Sequence, residues 1–279
     1  MTDALIHVNQ VTFSYSPSAS ALREVSVQIA SGEMTALIGN NGSGKSTLMK
    51  LIVGLVRPTS GSVVIDGQDT RRVKVSTLAQ HVGFIFQNPN DQLFAQSVED
   101  EIRFGLKNLG LPANVVEQRI EETISRFGLN HIRGDFPRFL SRGDKQKVCL
   151  ASVVAMHPRV LLLDEPTTGQ DHRDARAILD LATELNAAGI TVLLVTHDLI
   201  NVAAYARRAI VLRDGVIAKD APTHEVLTDL PLLQSCNLVT PQVVQLSLAL
   251  QDLDVPLTLR TDDFVSAVGH RLNNARSIL

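Results

Sequence analysis

The feature that most constrains the fold is a glycine-rich segment, Gly39-Asn40-Asn41-Gly42-Ser43-Gly44-Lys45-Ser46-Thr47. It matches the pattern G-x-x-x-x-G-K-[ST] and lies between a short apolar run, residues 34–38, and a helical pattern. Glycines let the backbone turn tightly, so that successive N–H groups point at phosphate oxygens, and the following helix directs its positive dipole end at the same anion. In this pattern Lys45 reaches the β- and γ-phosphates and the Ser46 hydroxyl can ligate Mg²⁺. The segment therefore predicts a triphosphate site at the end of a strand.

Two carboxylates follow a second apolar run. Residues 160–163 are all apolar, which is typical of a strand buried on both faces of a parallel sheet. Because ligands bind at the carboxyl ends of such strands, Asp164 is predicted to hold Mg²⁺ and Glu165 to act as general base on the attacking water. His197 follows the apolar run 191–195 in the same way and is predicted to hydrogen-bond the γ-phosphate and orient that water.

Charge and apolar pattern restrict the partners of the chain. Lys+Arg total 26 and Asp+Glu total 29, a net charge of −3, whereas a protein that binds nucleic acid by neutralising phosphates is usually basic. No apolar run approaches the roughly 18 residues of a membrane-spanning helix, and no apolar signal segment follows Met1 to Ala4. Cys149 and Cys236 match no metal or redox spacing, which indicates free thiols in a reducing compartment. We therefore expect a cytosolic chain without a nucleic-acid partner that touches a membrane only through other proteins.

Strand and helix patterns alternate along most of the chain, which predicts an α/β fold. Helical periodicity starts at Val98 and continues with breaks to about residue 157, so this block is expected to be an inserted helical subdomain. A hairpin is predicted over residues 210–219, with Asp214-Gly215 as its turn.

The residues after 230 form a separate pattern. Pro231 and Pro241 bracket a predicted short linker, and Thr240-Pro241 predicts a helix start with the proline at the first helical position. One face of that helix would carry four apolar residues: Val243, Leu246, Leu250 and Leu253. A second helix is expected from Thr261, with two aspartates in its first turn.

The order of the motifs resembles that of the nucleotide-binding subunits of ATP-binding-cassette (ABC) transporters, over about residues 5–230. Six motifs carry the resemblance: the loop 39–47, a glutamine loop at Gln87, a signature sequence at 140–146, Asp164-Glu165, Gly169-Gln170-Asp171 and His197. It implies a P-loop NTPase core of mainly parallel sheet with an antiparallel β subdomain and the inserted helical subdomain, together forming a domain of residues 1–230. It also implies ATP and Mg²⁺ as cofactors, with Tyr15 stacking on adenine and Gln87 contributing to both the nucleotide and the metal site.

The same resemblance implies a head-to-tail dimer, in which each ATP lies between the loop 39–47 of one subunit and the signature of the other. Ser141 and Gly143 would meet the γ-phosphate across that interface. The family signature reads Leu-Ser-Gly-Gly-Gln, whereas this chain has Leu140-Ser141-Arg142-Gly143-Asp144. Whether the changes at Arg142 and Asp144 reduce the activity of the composite site or are tolerated surface changes stays open. Whether the second cassette is an identical copy or a paralogue also stays open, although the altered signature favours a paralogue.

A narrower resemblance is to the ATPases of energy-coupling-factor (ECF) transporters. It rests on residues 86–94, on Val98-Glu99-Asp100-Glu101 and on residues 104–110. It implies import of a vitamin or a transition-metal ion, a transmembrane coupling protein, a separate membrane substrate-binding protein and a position on the cytoplasmic face of the membrane. Residues 231–279 would then be a C-terminal helical extension, hereafter the extension, that contributes a dimer contact.

Three other functions compete with this interpretation. A cassette ATPase acting on DNA or ribosomes usually carries coiled-coil insertions or two cassettes, and the sequence shows one cassette and no long heptad run. A nucleotide-binding regulator that hydrolyses little is disfavoured by Glu165 and His197 but is kept open by the altered signature. The third alternative is the ATPase of an ordinary ABC importer or exporter.

Overall fold

The computed structural model of the chain describes residues 4–16 and 19–276. The segment before Ala4, where the sequence predicts no signal, and residues 277–279 of the predicted extension lie outside these ranges. Among the described residues, no helix is both long enough and apolar enough to cross a bilayer.

Ten strands lie in the described residues and form two sheets. They are β1 (Ala4–Ser16), β2 (Ala19–Ala30), β3 (Met34–Ile38), β4 (Ser60–Ile65), β5 (Gln68–Asp69), β6 (Val82–Ile85), β7 (Val160–Asp164), β8 (Thr191–Val195), β9 (Arg208–Arg213) and β10 (Val216–Pro222). The first sheet is antiparallel, in the order β2-β1-β4-β5. The second has the order β10-β9-β3-β8-β7-β6 and is parallel except for β10. The prediction of a mainly parallel sheet with an antiparallel β unit is confirmed.

The register of the parallel sheet decides which residues meet at its carboxyl edge. Leu37 of β3 pairs with Val195 of β8, and Asp164 of β7 pairs with the same Val195. The three strands therefore end side by side, so that the segments starting at Gly39, Glu165 and Thr196 leave the sheet next to one another. Their apolar residues are buried, as the continuous apolar runs predict.

The helices alternate with the strands as far as β10, and the described part of the chain after β10 contains helices and no strand. They are α1 (Lys45–Ile52), α2 (Val75–Leu78), α3 (Val98–Asn108), α4 (Ala113–Arg126), α5 (Arg142–Val154), α6 (His172–Ala187), α7 (Leu199–Tyr205), α8 (Thr223–Leu227), α9 (Leu230–Ser235), α10 (Gln242–Ala249) and α11 (Thr261–Arg276). Helix α1 packs its apolar face between the two sheets, since Leu48 and Ile52 share one buried cluster with Ile6 and Leu162.

The predicted helical block consists of α3, α4 and α5. Ser97 caps α3 by accepting from the N–H of Asp100, and acidic residues in the first turn match the helix dipole. The three helices share an apolar core, with Ile102 from α3, Ile120 from α4 and Val148 from α5, and this core continues into the buried face of the parallel sheet. Cys149 is buried in the same cluster, and burial raises the pKa of its thiol.

The extension differs from its prediction in two ways. The predicted linker is wrong, because helix α9 starts at Leu230: Asp229 caps it by accepting from the N–H of Leu232, 3.1 Å away, and Leu233 is buried. Leu233 packs with Cys236 and with Val202 of α7 in one apolar cluster. The capped segment with the buried Leu233 forms a helix although Pro231 stands in its first turn, a position that tolerates proline.

The predicted apolar face of the next helix is also wrong. Pro241 precedes α10 with ψ 138°, outside the helical region, so it is the N-cap and not the first helical residue. The helix buries Val244 and Ser247, while Leu246 is exposed. Leu253 lies beyond the helix, in a 3₁₀ turn, and is exposed as well. The helix start predicted at Thr261 is confirmed by α11.

Candidate nucleotide site

The glycine-rich segment leaves β3 in a tight bend whose backbone only glycine accommodates. At Gly44, φ is +107°, and a Cβ there would lie 2.7 Å from the carbonyl oxygen of Ala21. At Gly39 a Cβ would lie 2.2 Å from the carbonyl oxygen of Leu212. Gly42 has φ +82° and open space around it. The bend therefore packs against the neighbouring strands at Gly39 and Gly44 and has open space at Gly42, where a ligand could approach it.

Lys45 spans this loop from the first turn of α1. Its Nζ donates to the carbonyl oxygens of Gly39 and Asn40, both at 2.9 Å. Burial lowers the pKa of Lys45, and the carboxylates of Glu165 and Asp164 oppose that shift. An ammonium carries three donors, so two bonds to the loop leave one for a further acceptor.

Two buried polar atoms of the loop have no hydrogen-bond partner: Ser43 Oγ and Asn40 Oδ1. Such atoms are rare in folded proteins because an unpaired buried polar group destabilises the fold. The loop thus combines glycines, a lysine with one free donor, and two buried polar atoms without partners. A triphosphate fits this arrangement.

One cavity of about 390 Å³ brings the predicted residues together. Its lining consists of Tyr15, Ala21, Asn41, Gly42, Gly44, Lys45, Ser46, Thr47, Gln87, Asp164, Glu165 and His197. The remaining loop residues Gly39, Asn40 and Ser43 form the bend beneath it. The volume lies within the range of small-molecule sites.

Asp164 and Ser46 supply oxygen atoms at the floor of the cavity. Burial raises the pKa of Asp164, and Glu165 raises it further. Lys45 and a hydrogen bond with the Ser46 hydroxyl act in the opposite direction. A hydroxyl and a carboxylate in contact, with the amide of Gln87 on the same cavity, are the hard oxygen donors that Mg²⁺ prefers.

Glu165 is held at the sheet edge by backbone and side chain. Its φ is +47°, the left-handed region that a residue with a Cβ seldom occupies, and its N–H donates to the carbonyl of Val195 at 2.9 Å. Oε1 lies 2.7 Å from His197 Nδ1, and Oε2 accepts from the hydroxyl of Thr168 at 3.2 Å. The carboxylate is buried, whereas 59% of the His197 side chain is exposed.

Tyr15 stands at the mouth of the cavity. Its ring is exposed, packs edge-on against Phe13 with centroids 4.9 Å apart, and its hydroxyl lies 3.3 Å from Thr47 Oγ1. These contacts hold the ring beside the loop with an apolar face available for stacking on a flat ring.

Ser141 and Gly143 do not line this cavity; they lie at the start of α5. Ser141 caps the helix by accepting from the N–H of Asp144 at 3.2 Å, and its hydroxyl donates to Asp144 Oδ2 at 2.7 Å. The guanidinium of Arg142 lies against Gly169, where a Cβ would be 3.1 Å from its Cζ. The two residues that depart from the family signature thus each have a local structural partner.

Sequence reasoning missed two features of the site. Thr168 contacts Glu165 through a turn that no sequence pattern indicates. A second cavity of about 950 Å³ shares Asn41 and His197 with the first and is closed by extension residues 237–243 and 259–262. The extension therefore lies next to Asn41 and His197 at the carboxyl edge of the sheet, which its position in the sequence did not suggest.

Comparisons with known proteins agree with this geometry. A family model described as "ABC transporter" matches residues 22–168. The energy-coupling factor transporter ATP-binding protein EcfA of Methanothermobacter thermautotrophicus is 36% identical over 261 residues, which cover 91% of this chain and 84% of that protein. A protein of Methanosarcina acetivorans that carries the name of an ABC transporter ATP-binding protein is 38% identical over 93% of this chain but only 42% of its own length. The chain thus spans less than half of that longer relative.

Two solved structures share the fold. CbiO1 from Clostridium perfringens, described as part of the ABC transporter complex CbiONQ, is 33% identical with a TM-score of 0.76, covering 88% of this chain and 98% of that one. The ATP-binding cassette MJ0796, in a dimeric post-hydrolysis state bound to ADP and Pi, is 30% identical with a TM-score of 0.70, covering 78% of this chain and 98% of that one.

Proposed function

The chain belongs to the ABC transporter family of ATP-binding proteins, and on that premise we propose that it is the ATP-hydrolysing subunit of an ECF-type importer. It would couple hydrolysis to the uptake of a vitamin or a transition-metal ion through membrane partners. The observation that carries the proposal is the meeting, on one cavity, of the loop lysine Lys45, the carboxylate Asp164 and the Glu165–His197 pair. The similarity to EcfA of M. thermautotrophicus and to CbiO1 supports the ECF type.

ATP would bind with its phosphates on the loop 39–47. The backbone N–H groups of the bend and the N-terminus of α1 are the donors for the phosphate oxygens. Lys45 would turn from the carbonyl oxygens of Gly39 and Asn40 to the β- and γ-phosphates, and the ring of Tyr15 would stack on adenine.

Ser46 and Asp164 would hold Mg²⁺, with Gln87 as a further oxygen donor. Their donor chemistry and their contact at the cavity floor fit this ion. Bound Mg²⁺ would neutralise charge on the β- and γ-phosphates.

Glu165 would act as general base. Its buried carboxylate lies on the nucleotide cavity, where it can accept a proton from the attacking water. His197 is within hydrogen-bond distance of Glu165 through Nδ1, which leaves Nε2 for the γ-phosphate. In this arrangement the histidine fixes water, phosphate and base relative to one another, and positioning is the main contribution to phosphoryl transfer.

A second cassette would complete each site. Ser141 and Gly143 lie away from the chain's own cavity, so in the proposed dimer they would meet the γ-phosphate held by the partner. MJ0796 is dimeric with ADP and Pi, which supports a dimer as the working unit. The contacts of ATP with the partner's signature would form only in the closed dimer and so shift the population toward it, and hydrolysis would release them. The extension would add a dimer contact.

The membrane partner would dock beside the helical block. A groove of about 530 Å³ lies between α3 and α5, and its rim carries two exposed rings, Phe94 and Phe104, with centroids 4.7 Å apart. The buried carboxylate of Glu101 accepts from the N–H groups of Phe94 and Ala95 at 2.9 and 2.8 Å, which fixes the loop that follows Gln87. An apolar helical segment of the transmembrane coupling protein would occupy this groove. A separate membrane protein would bind the substrate, and the chain would sit peripherally on the cytoplasmic face.

The variant Glu165→Gln tests the proposal. It should retain MgATP but hydrolyse it about 10²–10⁴-fold more slowly, the usual contribution of a general base. Glu184→Gln, on the exposed face of α6, is the matched control and should hydrolyse at the parental rate. Steady-state ATPase and nucleotide binding are measured on the chain purified with the proteins that accompany it from native membranes.

Three outcomes contradict the proposal at different levels. Absence of MgATP binding by the parent overturns the nucleotide site. Hydrolysis by Glu165→Gln within about threefold of the parent overturns the role of the base. Co-purification with ribosomes or DNA, without membrane proteins, overturns the transporter.

A further inference from the structure

The carboxylate of Glu165 is restrained on both oxygens, and only one of the two restraints belongs to the nucleotide machinery proposed above. Oε1 faces Nδ1 of His197, whose side chain is largely exposed and would bond the γ-phosphate through Nε2. Oε2 accepts from Thr168 Oγ1 at 3.2 Å. Because the terminal torsion of a glutamate is broad, a single bond to the exposed His197 would leave the carboxylate room to rotate. The second bond removes that freedom.

Thr168 is itself held in place. Its N–H donates to the carbonyl oxygen of Glu165 at 3.1 Å, which closes a tight turn between the two residues. A threonine side chain is stiff at χ1, so the hydroxyl is fixed once the turn has formed. The turn begins at the strained φ of Glu165, +47°, and backbone in a rarely occupied region persists only where surrounding contacts determine it.

The loop that carries Thr168 is fastened on either side. Gln170 Nε2 donates to the carbonyl oxygen of Pro166 at 2.9 Å, and Asn201 Nδ2 donates to Thr167 Oγ1 at 3.4 Å. The guanidinium of Arg142 lies against Gly169, where a Cβ would be 3.1 Å from its Cζ. The hydroxyl therefore approaches Glu165 from a segment that cannot easily move away.

We infer that Thr168 is a positioning residue for the reaction, holding the Glu165 carboxylate in the orientation from which it accepts the proton of the attacking water. Each carboxylate oxygen has two acceptor sites, so one bond from Thr168 leaves sites free for water. The hydroxyl orients the base without blocking it, and it restrains the oxygen that His197 does not contact. This inference rests on the proposed ATP hydrolysis.

The test compares three substitutions at this position. Thr168→Val keeps the shape and removes the hydroxyl, and it should lower kcat about tenfold, since small misplacements of a reacting group have effects of this order or larger. KM for MgATP should stay within about twofold, because the hydroxyl contacts the base and not the nucleotide loop. Thr168→Ser keeps the hydroxyl and should restore at least half of kcat. Thr168→Ala, which cannot overpack, repeats the test should the valine variant fold poorly.

The matched control is Thr183→Val. Thr183 donates from its hydroxyl to the carbonyl oxygen of Leu179, at 2.9 Å within α6, so this change removes a similar bond from a position outside the cavity lining. It should leave kcat and KM unchanged. A merely structural role of Thr168 would instead lower Tm and kcat alike in the serine and valine variants.

The inference is overturned by a kcat of Thr168→Val and Thr168→Ala within twofold of the parent, or by a serine variant as slow as the valine variant. A parent that binds MgATP but shows no hydrolysis overturns the proposed function and this inference with it. Normal parental hydrolysis with an unaffected Thr168→Val overturns this inference alone.

Discussion

The carboxyl edge of the parallel sheet and the extension use apolar residues in opposite ways. Strands β3, β7 and β8 bury their apolar side chains almost completely, and the buried clusters continue into the helices that cover them. The extension buries an anchor around Leu233 but leaves Val239, Leu246 and Val265 exposed, at 79%, 51% and 63%. Isolated exposed apolar residues are ordinary, whereas a contiguous apolar patch marks a surface that another molecule covers, and the dimer contact proposed for the extension would use these side chains.

Polar groups show the reverse contrast. At the sheet edge Ser43 Oγ and Asn40 Oδ1 lack partners, and burial disfavours the charge on Lys45 and Asp164. In the extension the one buried polar side chain of α10, Ser247, bonds to Val243 and Thr258. The sheet edge buries its apolar side chains but leaves two buried polar atoms unpaired. The extension pairs the buried hydroxyl of Ser247 but leaves apolar side chains exposed. What each region lacks matches what we propose it binds: a phosphate chain in one case, and the apolar surface of a second subunit in the other.

The largest expected effect concerns the anchor of the extension. Leu233→Ala should lower the free energy of unfolding by about 2–5 kcal/mol, because it removes a buried side chain and leaves a cavity against α7. Leu253→Ala, at an exposed position of the same extension, should change it by no more than about 0.5 kcal/mol. Urea titration at fixed protein concentration measures both. Equal effects would show that the division into anchor and exposed surface is wrong.

The second prediction addresses the unpaired polar groups at the sheet edge. Lys45→Ala should weaken ATP binding by about 10–100-fold, because it removes a charged donor from the phosphates, and charge-assisted bonds are the stronger ones. Lys107→Ala, in the last turn of α3, is a control of equal charge that should leave affinity unchanged. Calorimetry with Mg²⁺ present makes the comparison. An affinity within twofold of the parent would mean that the backbone cradle alone holds the phosphates.

The third prediction addresses the apolar surface of the extension. Leu246→Ser combined with Val265→Ser should weaken dimerisation about tenfold, since two exposed apolar side chains would no longer be buried between subunits. Leu55→Ser, at an exposed apolar position outside the extension, is the control. Sedimentation equilibrium measures the dimer dissociation constant of the parent and of both variants. Unchanged dimer affinity in the double variant would remove the extension from the interface.

Substitution is preferable to truncation for that test. A chain cut at Pro231 would lose Leu233, Cys236 and Leu238, which are buried against α7 and α8. Helix α7 begins two residues after His197, so the cut would disturb the sheet edge together with the extension. The two regions could then no longer be compared.

The difference between the regions also explains how far the sequence predicted the structure. At the sheet edge each motif is local: an apolar strand followed by Gly39 or by Asp164 places the functional residue at the strand end through the backbone itself. Parallel pairing then brings the ends together, as the shared register of Leu37 and Asp164 on Val195 demonstrates. Locally determined residues of this kind could be predicted.

In the extension, tertiary contacts decide what local pattern cannot. The buried face of α10 includes Ser247, whose hydroxyl lies 2.9 Å from Thr258 Oγ1. A prediction from the spacing of apolar residues overlooks this face because serine is polar. Helix α9 forms with Pro231 in its first turn because Asp229 caps it and Leu233 packs against the buried residues of α7. Thr168 escaped prediction for a related reason, since its contact with Glu165 depends on a left-handed backbone conformation that glutamate seldom adopts.

The smallest expected effect follows from the buried charge at the sheet edge. Burial first, and the neighbouring Glu165 second, raise the pKa of Asp164 above its ordinary value, against the opposing influence of Lys45 and the Ser46 hydroxyl. A carboxyl group whose pKa is higher in the folded than in the unfolded chain destabilises the fold fully above the folded pKa. This penalty shrinks as the pH falls through the folded pKa and is gone below the unfolded pKa.

Asp164→Asn carries no charge at any pH, so in Mg²⁺-free buffer it should raise Tm by a few degrees near neutral pH, with a gain that shrinks as the pH is lowered. Asp252→Asn, at an exposed position of the extension, should show no such gain. Thermal unfolding across a pH series makes the measurement, and a lower Tm for Asp164→Asn at neutral pH would contradict the argument. Because the same substitution would remove the proposed ligand of Mg²⁺, a more stable fold with weaker MgATP binding would show that the sheet edge sacrifices folding stability to keep a charge where the ligand needs one.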